Sequence, residues 1–203
     1  MKYTIKNDLI YEEKIKKSLF IGHLRYVSDT ESARAFIQEI SKLHPQANHN
    51  CPAYIIGKNG EIAFSSDDRE PSGTAGKPLL NMLQRHELTN VAIVVTRYFG
   101  GVELGIRGLI EAYGGVAERT ILSGEKVQMI DYFYYKCEMS YHFYKIFLHK
   151  IQLPDVIVKD TVFTDIVEVK IEVSEMGKDK LLIVLQEMML GQNIKCSELR
   201  IEN

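Results

Sequence analysis

Cysteine is scarce in this chain of 203 residues, which has three of them: Cys51, Cys137 and Cys196. Their number is odd, they lie far apart in the sequence, and none forms a C-x-x-C pair. A disulfide scaffold needs several pairs, and a cysteine-rich zinc site needs closely spaced ligands. The sequence therefore excludes both, and this cysteine use is typical of a reducing cytosol.

Charge of one sign and long apolar runs are also lacking. The 25 Lys and Arg residues nearly balance the 27 Asp and Glu residues, for a formal net charge of −2. This balance excludes a protein that wraps nucleic acid through overall positive charge, so any basic site must be local. No stretch reaches the roughly 18 apolar residues of a membrane span, and the N-terminus has charges where a signal peptide needs an apolar core. We expect a cytoplasmic protein that does not bind membranes.

The final third of the chain predicts a β-α-β-β-α-β order. The two helices are expected over residues 142–151 and 178–190, where apolar residues recur at helical spacing. The four strands are expected over residues 132–141, 156–158, 166–173 and 194–201. This order is that of a ferredoxin-like plait. We place the plait at residues 130–203, after an N-terminal domain of residues 1–129.

The N-terminal domain also mixes helices and strands, so the predicted fold class is α+β with two domains. Strands are expected over residues 2–5, 9–16, 19–26, 53–57, 61–64 and 91–96. Helices are expected over residues 77–87 and 108–122. Asp29 or Thr30 can cap a further helix, which ends before Pro45. The apolar face of that helix comprises Ala33, Phe36, Ile37, Ile40 and Leu43.

Two loops rich in glycine, charge and hydroxyl groups carry the chemistry of the sequence. They cover residues 65–78 and 97–108, and each lies between a predicted strand and a predicted helix. In that position, backbone N–H groups and a helix N-terminus can hold an anion. The alternative is that the glycines only allow tight turns and the carboxylates only cap helices. The two loops together favour a binding cleft.

Motifs for nucleotide phosphates are not met in either loop. Residues 73–77 are followed by Pro78, where a phosphate loop needs Ser or Thr to bind Mg²⁺. Gly100, Gly101 and Gly105 lack the spacing of a dinucleotide-binding motif. We therefore expect neither a nucleoside triphosphatase nor a dinucleotide-binding enzyme.

Three carboxylates, Asp67, Asp68 and Glu70, lie within four positions. Carboxylates can ligate Mg²⁺ or Ca²⁺, but the calcium-loop pattern with its distant Glu is missing. The other interpretation is a solvated loop whose acids pair with Arg69, Lys77 or Arg97 nearby. We predict no metal and no cofactor.

His49 and Cys51 offer an imidazole and a thiol. A Cys–His nucleophile pair is one interpretation, but Cys51 opens a predicted strand and fits a small core residue better. His49 can donate a hydrogen bond to an anion if its strand lies beside the two loops; otherwise it is a structural imidazole. The sequence does not choose between these roles for His49.

Four motifs resemble the signature of the YigZ/IMPACT family, and the resemblance covers essentially the whole chain. The motifs are Asp67-Asp68-x-Glu70-Pro71-Ser72-Gly73-Thr74-Ala75-Gly76-Lys77-Pro78-Leu79-Leu80, Val94-Val95-Thr96-Arg97-Tyr98-Phe99-Gly100-Gly101-Val102-Glu103-Leu104-Gly105, Ile15-Lys16-Lys17-Ser18 and His49-x-Cys51-x-Ala53-Tyr54. The resemblance implies that the first domain resembles the second domain of a small-subunit ribosomal protein fold shared with elongation factor G. It also implies that the plait resembles the C-terminal domain of that factor.

The family resemblance also carries functional expectations. Eukaryotic relatives are translational regulators that bind a ribosome-associated activator of a stress kinase. For bacterial relatives, which have no settled activity, the fold has led to proposals of association with nucleic acid or the ribosome. Fold analogy alone is weak evidence for function.

This chain departs from the family pattern at several positions. Arg69 replaces the usual Gly, and Ile106-Arg107 replaces Thr-Gly. Glu111 lies where relatives usually have Arg or Lys, and Leu19 lies where Arg is frequent. Losing Gly at positions 69 and 107 removes easy access to positive φ. The basic charge gained at 107 and lost at 111 is an i,i+4 exchange on one helix, which leaves the local potential nearly unchanged.

We therefore expect a non-enzymatic, translation-associated regulatory or binding protein with an anion site between the two loops. The anion is a phosphate of RNA or of a small molecule, and the expected partners are RNA, the ribosome or a ribosome-associated protein. The expected site residues are His49, Asp67, Asp68, Glu70, Ser72, Gly73, Thr74, Gly76, Lys77, Arg97, Tyr98, Gly100, Gly101, Gly105 and Arg107. One alternative is a hydrolase-type enzyme that uses the three carboxylates with His49 as proton carrier. The other is a module that binds only proteins.

Overall fold

A five-stranded antiparallel sheet organises the first 129 residues of the computed structural model, which describes residues 2–191 and 193–199. In chain order the elements of this part are β1 (Tyr3–Ile5), β2 (Leu9–Ile15), β3 (Ser18–Tyr26), α1 (Thr30–Leu43), β4 (His49–Ile56), β5 (Ile62–Ser65), α2 (Gly76–Arg85), β6 (Val91–Tyr98), α3 (Gly105–Leu122) and β7 (Lys126–Gln128). The sheet order is β2-β3-β6-β4-β5, while β1 pairs with β7 in a separate two-stranded sheet. The central strand β6 is the continuous apolar run that the sequence predicts to be buried.

Helices cover both faces of this sheet. Helix α1 packs on the face that includes Tyr54, Ala92 and Val94. Helices α2 and α3 pack on the other face. As predicted, Asp29 caps α1: its side chain accepts the backbone N–H of Ser32 at 2.8 Å, and the Ser32 hydroxyl accepts the N–H of Asp29. The predicted apolar face of α1 is correct except at its end, because the last turn lies beyond the sheet and leaves Leu43 exposed.

Two boundaries differ from the sequence prediction in ways that affect the loops. Helix α3 begins at Gly105, three residues earlier than expected, so Arg107 is helical rather than in a loop. Strand β4 begins at His49 instead of residue 53, so His49 pairs directly with Arg97 of β6 in the sheet. The polar residues at the start of β4 concealed this boundary, because the continuous apolar run begins only at Ala53.

Residues 130–203 form a second unit around a four-stranded antiparallel sheet. Its elements are β8 (Tyr132–Met139), α4 (Tyr141–Lys150), β9 (Val156–Phe163), β10 (Val167–Ser174), α5 (Glu175–Leu190) and β11 (Ile194–Leu199), with the strand order β11-β8-β10-β9. Strand β9 is longer than predicted. A register shift opposite Lys170 and Ile171 interrupts its alternation, so the sequence pattern identified only the first part of the strand. The predicted last strand runs to residue 201, and its residues 200 and 201 lie outside the described part. The mixed α and β composition that the sequence predicts is confirmed, with five helices in the described residues.

The prediction from the cysteine spacing needs one correction, because two of the three cysteines are paired. Cys137 of β8 and Cys196 of β11 lie directly opposite each other, with Cα atoms 4.2 Å apart, and form a disulfide. Their separation of 59 residues gave no sign of this pairing, because strand register and not sequence spacing brings them together. Cys51 is a buried free thiol. No helix within residues 2–191 has the length and apolar character needed to cross a membrane.

Candidate functional site

A pocket of about 440 Å³ lies between the start of β4, the end of β6 and the N-terminus of α3. The residues that matter for its chemistry are His49, Glu70, Arg97, Phe99, Gly105 and Ile106. Four of the predicted site residues therefore line one pocket: His49, Glu70, Arg97 and Gly105. They come from both predicted loops and from the strand that precedes the first loop.

A buried ion pair forms the floor of this pocket. Strand β6 continues past its apolar run, so Arg97 points to the same face as Val95, toward the helices. The Glu70 Oε1 atom lies 2.7 Å from Arg97 Nη1 and 2.8 Å from the Tyr113 hydroxyl, which donates to it. The Arg97 and Glu70 side chains are only 6% and 4% exposed. Burial raises the pKa of Tyr113 far above its usual value, so this hydroxyl remains a donor.

His49 is held in one orientation beside this pair. Its Nδ1 lies 2.8 Å from the main-chain carbonyl of Asp68, which can only accept, so Nδ1 carries a proton. The other ring nitrogen, Nε2, lies 3.7 Å from Glu70 Oε1, too far for a hydrogen bond. His49 thus presents Nε2 at the wall of the pocket.

Two sets of donors at the pocket have no internal acceptor. Arg97 Nε is buried and makes no hydrogen bond to any residue of the described segments. Helix α3 has 18 residues, its N-cap is Leu104, and no side chain of residues 2–191 or 193–199 accepts a hydrogen bond from the N–H groups of its first turn. Free N–H groups at the start of a long helix attract negative charge. The pocket is therefore lined both by the residue that carries this unpartnered N–H and by the first residues of an uncapped helix.

The other half of the predicted anion cleft is already filled by the protein itself. The Asp67 carboxylate accepts backbone N–H groups from Gly73 at 2.8 Å, Ala75 at 3.0 Å and Gly76 at 2.8 Å. Burial acts to raise the pKa of Asp67, but these three bonds outweigh it and hold the pKa below its usual value. The first loop is thus an internal cap of α2, and its glycine N–H groups are not available to an external anion.

Other predicted site residues have local structural roles or face solvent. The Asp68 carboxylate accepts the Asn50 N–H at 2.6 Å. The Thr74 hydroxyl donates to the Pro71 carbonyl at 2.7 Å and closes a turn. Ser72 and Lys77 are exposed and do not line the pocket. Asp68 has φ of +41° and Arg69 has φ of +70°, so the chain adopts positive φ at 69 without the usual glycine.

The second loop also divides between the pocket and other surroundings. The Tyr98 hydroxyl lies 3.0 Å from His44 Nδ1 and does not line the pocket. Gly100 packs on the β2–β3 turn, where an added Cβ would lie 2.0 Å from the Lys17 carbonyl oxygen. Gly101 has φ of +82°, which glycine adopts freely. Arg107 is exposed and pairs with Glu111 at 2.9 Å, as their i,i+4 spacing predicts.

The carboxylates of the hydrolase alternative are divided: Glu70 lines the pocket with His49, whereas Asp67 and Asp68 do not line it. Within residues 2–191 and 193–199, no three His, Cys, Asp or Glu side chains are grouped so that they could hold a metal. Asp67 and Asp68 are engaged by backbone N–H groups. Burial raises the pKa of the Cys51 thiol to about 12, so it is not a nucleophile near neutral pH.

Sequence reasoning missed three residues that build the site. The Ser18 hydroxyl accepts the Gly100 N–H at 3.2 Å and lies 3.5 Å from Arg97 Nη2. Tyr113 reaches Glu70 from the middle of α3. The Asn48 side-chain oxygen accepts the Phe99 N–H at 2.8 Å and so fixes the second loop. Only Ser18 lies in one of the quoted motifs; Tyr113 follows an ordinary helical core pattern that gives no functional signal.

Comparison with known proteins identifies the family. The Impact N-terminal domain matches residues 16–121. The chain is 48% identical over 130 residues to IMPACT family member YvyE of Bacillus subtilis, covering 59% of this chain and 60% of that protein. It is 40% identical over 126 residues to IMPACT family member YigZ of Escherichia coli, covering 59% of this chain and 61% of that protein. The matches thus span about three fifths of these relatives.

A crystal structure described as that of "an hypothetical protein" superposes on the whole chain. It has a TM-score of 0.65 and 27% sequence identity, and the match covers 100% of this chain and 98% of that one. The domain match includes both loops and every residue named at the pocket. On these grounds the chain belongs to the YigZ/IMPACT family, as its loop motifs predict.

Proposed function

We propose that this protein is a non-enzymatic, translation-associated regulatory or binding protein that holds single-stranded RNA at the pocket before α3. The observation that carries the proposal is the buried, unpartnered Nε of Arg97 at the N-terminus of a long uncapped helix. A buried donor without an acceptor costs free energy, and an anionic oxygen in the pocket supplies that acceptor. These donors therefore favour a ligand that carries an anionic group.

An exposed aromatic ring beside the donors favours a nucleotide over a simple anion. Phe99 lines the pocket, and its ring centroid lies 5.4 Å from the Arg97 guanidinium carbon. Bases stack on exposed aromatic rings, while the phosphate of the same nucleotide takes helix and arginine donors. A pocket of about 440 Å³ is within the usual size range for a nucleotide-sized ligand.

Two acidic residues set the strength of this site. Glu70 already neutralises much of the Arg97 charge. Glu103 also lines the pocket and is exposed. Affinity for RNA is therefore expected to be modest and dependent on salt, in agreement with the near-neutral charge of the chain. We propose that Glu103→Gln strengthens binding, because it removes a repulsive charge from the rim.

A titration with inorganic phosphate tests the anion site directly. In nitrogen-15 spectra, we expect phosphate to shift the Arg97 Nε–H signal and the Gly105 and Ile106 amides. Glu103→Gln should reach half-saturation at a lower phosphate concentration. About 50 mM phosphate is high enough to reveal even weak anion binding. If these signals do not move at that concentration while the protein remains folded, the anion site is wrong.

The finer parts of the assignment rest on the family resemblance and on topology. We propose that the second unit is a ferredoxin-like plait, supported by its β-α-β-β-α-β order and its β11-β8-β10-β9 sheet. We also propose that the first unit resembles the second domain of the small-subunit ribosomal protein fold that is shared with elongation factor G. The protein acts in the cytoplasm, and its proposed partners are RNA, the ribosome or a ribosome-associated protein. No specific observation favours the hydrolase alternative.

A further inference from the structure

The two edge strands of the first sheet differ in how they are protected. Exposed edges invite pairing with other chains, and proteins usually guard them with charged residues or proline. Strand β2 carries Glu12, Glu13 and Lys14 among its seven residues. Strand β5 carries no charged residue and no proline, and its Ile62 and Phe64 are 46% and 43% exposed. One edge is guarded and the other is not.

A groove of about 390 Å³ lies beside this unguarded edge. Its floor includes Tyr54 of β4 and Phe64 of β5, whose rings stack with centroids 5.1 Å apart. Its wall is one face of α1, on which the residues are spaced i, i+3, i+4 and i+7. These wall residues are Arg34, Ile37, Gln38 and Ser41. Helix α1 thus stops short of covering the edge strand.

Two charged side chains line the groove: Asp68, whose carboxylate already accepts a backbone N–H, and Arg34, which is unpaired within the described residues. Arg34 is exposed and makes no hydrogen bond or ion pair with any residue that the structure describes. By contrast, Arg25 of β3 pairs with both Asp8 and Glu39. Arg34 therefore favours an acidic group in a segment that enters the groove.

The hydrogen-bond alternation of β5 shows which main-chain groups are free. The Ser66 N–H donates to the Pro52 carbonyl at 3.0 Å, so this pair is hydrogen-bonded across the β4–β5 ladder. Bonded and non-bonded pairs alternate in antiparallel sheets. Phe64 and Ile62 are then in the bonded pairs, and the N–H and C=O groups of Ala63 and Ser65 face outward.

We propose that β5 is a docking edge for an extended segment of another protein. The segment adds as a sixth strand through the outward groups of Ala63 and Ser65. It places an apolar side chain against Phe64 in the groove and an acidic side chain at Arg34. Main-chain bonds supply affinity in this mode of recognition, and the groove and the charge supply sequence preference. The RNA pocket is lined by a different set of residues, so this proposal does not depend on it.

Selection of random seven-residue peptides displayed on phage, against the full chain, tests the docking edge. We expect enrichment of peptides that combine an apolar residue with Asp or Glu and that bind Ala63→Pro at least 10-fold more weakly. Proline removes an outward N–H without breaking the ladder to β4. On Arg34→Glu protein, the selected peptides should carry Lys or Arg instead. Lys42→Glu, a charge reversal on the same helix outside the groove, should select the same acidic peptides as the unchanged protein.

Several results would overturn the proposal. No enrichment on the unchanged protein contradicts it, as does enrichment of peptides that bind folded Ala63→Pro equally well. If Ala63→Pro does not fold, the Arg34→Glu selection decides alone, and unchanged peptide charge there contradicts the proposal. Dimerisation of the chain that depends on Ala63 would assign the edge to a second copy and reject a separate partner.

Discussion

The Glu70–Arg97 pair is the residue-scale centre of the site. Both of its side chains are almost fully buried, and Tyr113 supplies a second donor to the same oxygen. A buried pair contributes little net stability by itself, but breaking it leaves an uncompensated charge inside the protein. Glu70 therefore holds Arg97 in position at the pocket.

Replacing Glu70 tests this assignment. We expect Glu70→Gln to lower the free energy of unfolding by about 3 kcal/mol, because the Arg97 charge then lacks its counter-charge. Urea denaturation at pH 7 measures the change. Glu111→Gln is the matched control, since it removes the same kind of charge from an exposed pair with Arg107 and should leave stability unchanged. Equal effects of the two substitutions would contradict the assignment.

The residue scale also marks a limit of sequence reasoning. The sequence predicts that His49, Glu70 and Arg97 are site residues, and the structure places all three at one pocket. The sequence offers Arg69, Lys77 or Arg97 as partners for the acids of the first loop. It does not select the Glu70–Arg97 pair, because 27 residues separate the two and their meeting depends on how the loop folds back. The pairing partner of a charged side chain is a tertiary property.

At the scale of elements, the N-termini of α2 and α3 look alike in sequence but differ in structure. Both follow glycine-rich loops. The start of α2 is occupied by the Asp67 carboxylate, which accepts three backbone N–H groups, whereas the start of α3 has no side-chain cap. Only the second helix can therefore offer free N–H groups to a ligand. Composition could not separate the two cases, because each loop contains both glycine and carboxylates.

The pH dependence of stability tests the internal cap of α2. The folded pKa of Asp67 lies below its unfolded value of 3.8, so its contribution is fully present above pH 3.8 and is lost as pH falls below it. We expect Asp67→Asn to be less stable than the unchanged protein by about 1 kcal/mol at pH 7. The difference should shrink between pH 4 and pH 2.5 (roughly the window in which the folded carboxylate gains its proton).

The midpoints of urea denaturation provide the data for this comparison. They are measured from pH 7 to pH 2.5, which is about the range that brackets the carboxylate titration. The exposed substitution Glu125→Gln serves as the control in the same unit and should follow the unchanged protein throughout. A difference for Asp67→Asn that stays constant down to the lowest pH would show that the carboxylate is not capping α2.

At the scale of the whole molecule, charge favours the first unit as the place of the proposed RNA binding. Residues 1–129 contain 16 basic and 15 acidic side chains, a net of +1, while residues 130–203 contain 9 and 12, a net of −3. Several charges on the second sheet are paired with one another: Lys136 Nζ lies 2.7 Å from Glu168, and Lys159 Nζ lies 3.2 Å from Glu172. These pairs neutralise positive charge in a unit that is already net negative, which disfavours it as a nucleic-acid platform.

The prediction from sequence succeeded where periodicity is strong and failed where long-range pairing decides. The capped helix α1 and the apolar strand β6 are both present as expected. Pairing of Cys137 with Cys196, the extension of β9 and the start of β4 at His49 all depend on strand register. Register is fixed by tertiary packing, so a single sequence gives little access to it.

Fluorescence anisotropy with a labelled single-stranded oligouridylate RNA tests the central claim most directly. We predict binding at low salt that weakens as salt increases. Ile106→Glu, which places a negative charge at the pocket, and Phe99→Ala, which removes the stacking ring, should each weaken binding roughly 10-fold. Ile10→Glu is the control, because Ile10 is 65% exposed and Ile106 is 67% exposed. This variant should bind RNA like the unchanged protein. No RNA binding at low salt, or equal loss in Ile10→Glu and Ile106→Glu, would contradict the account.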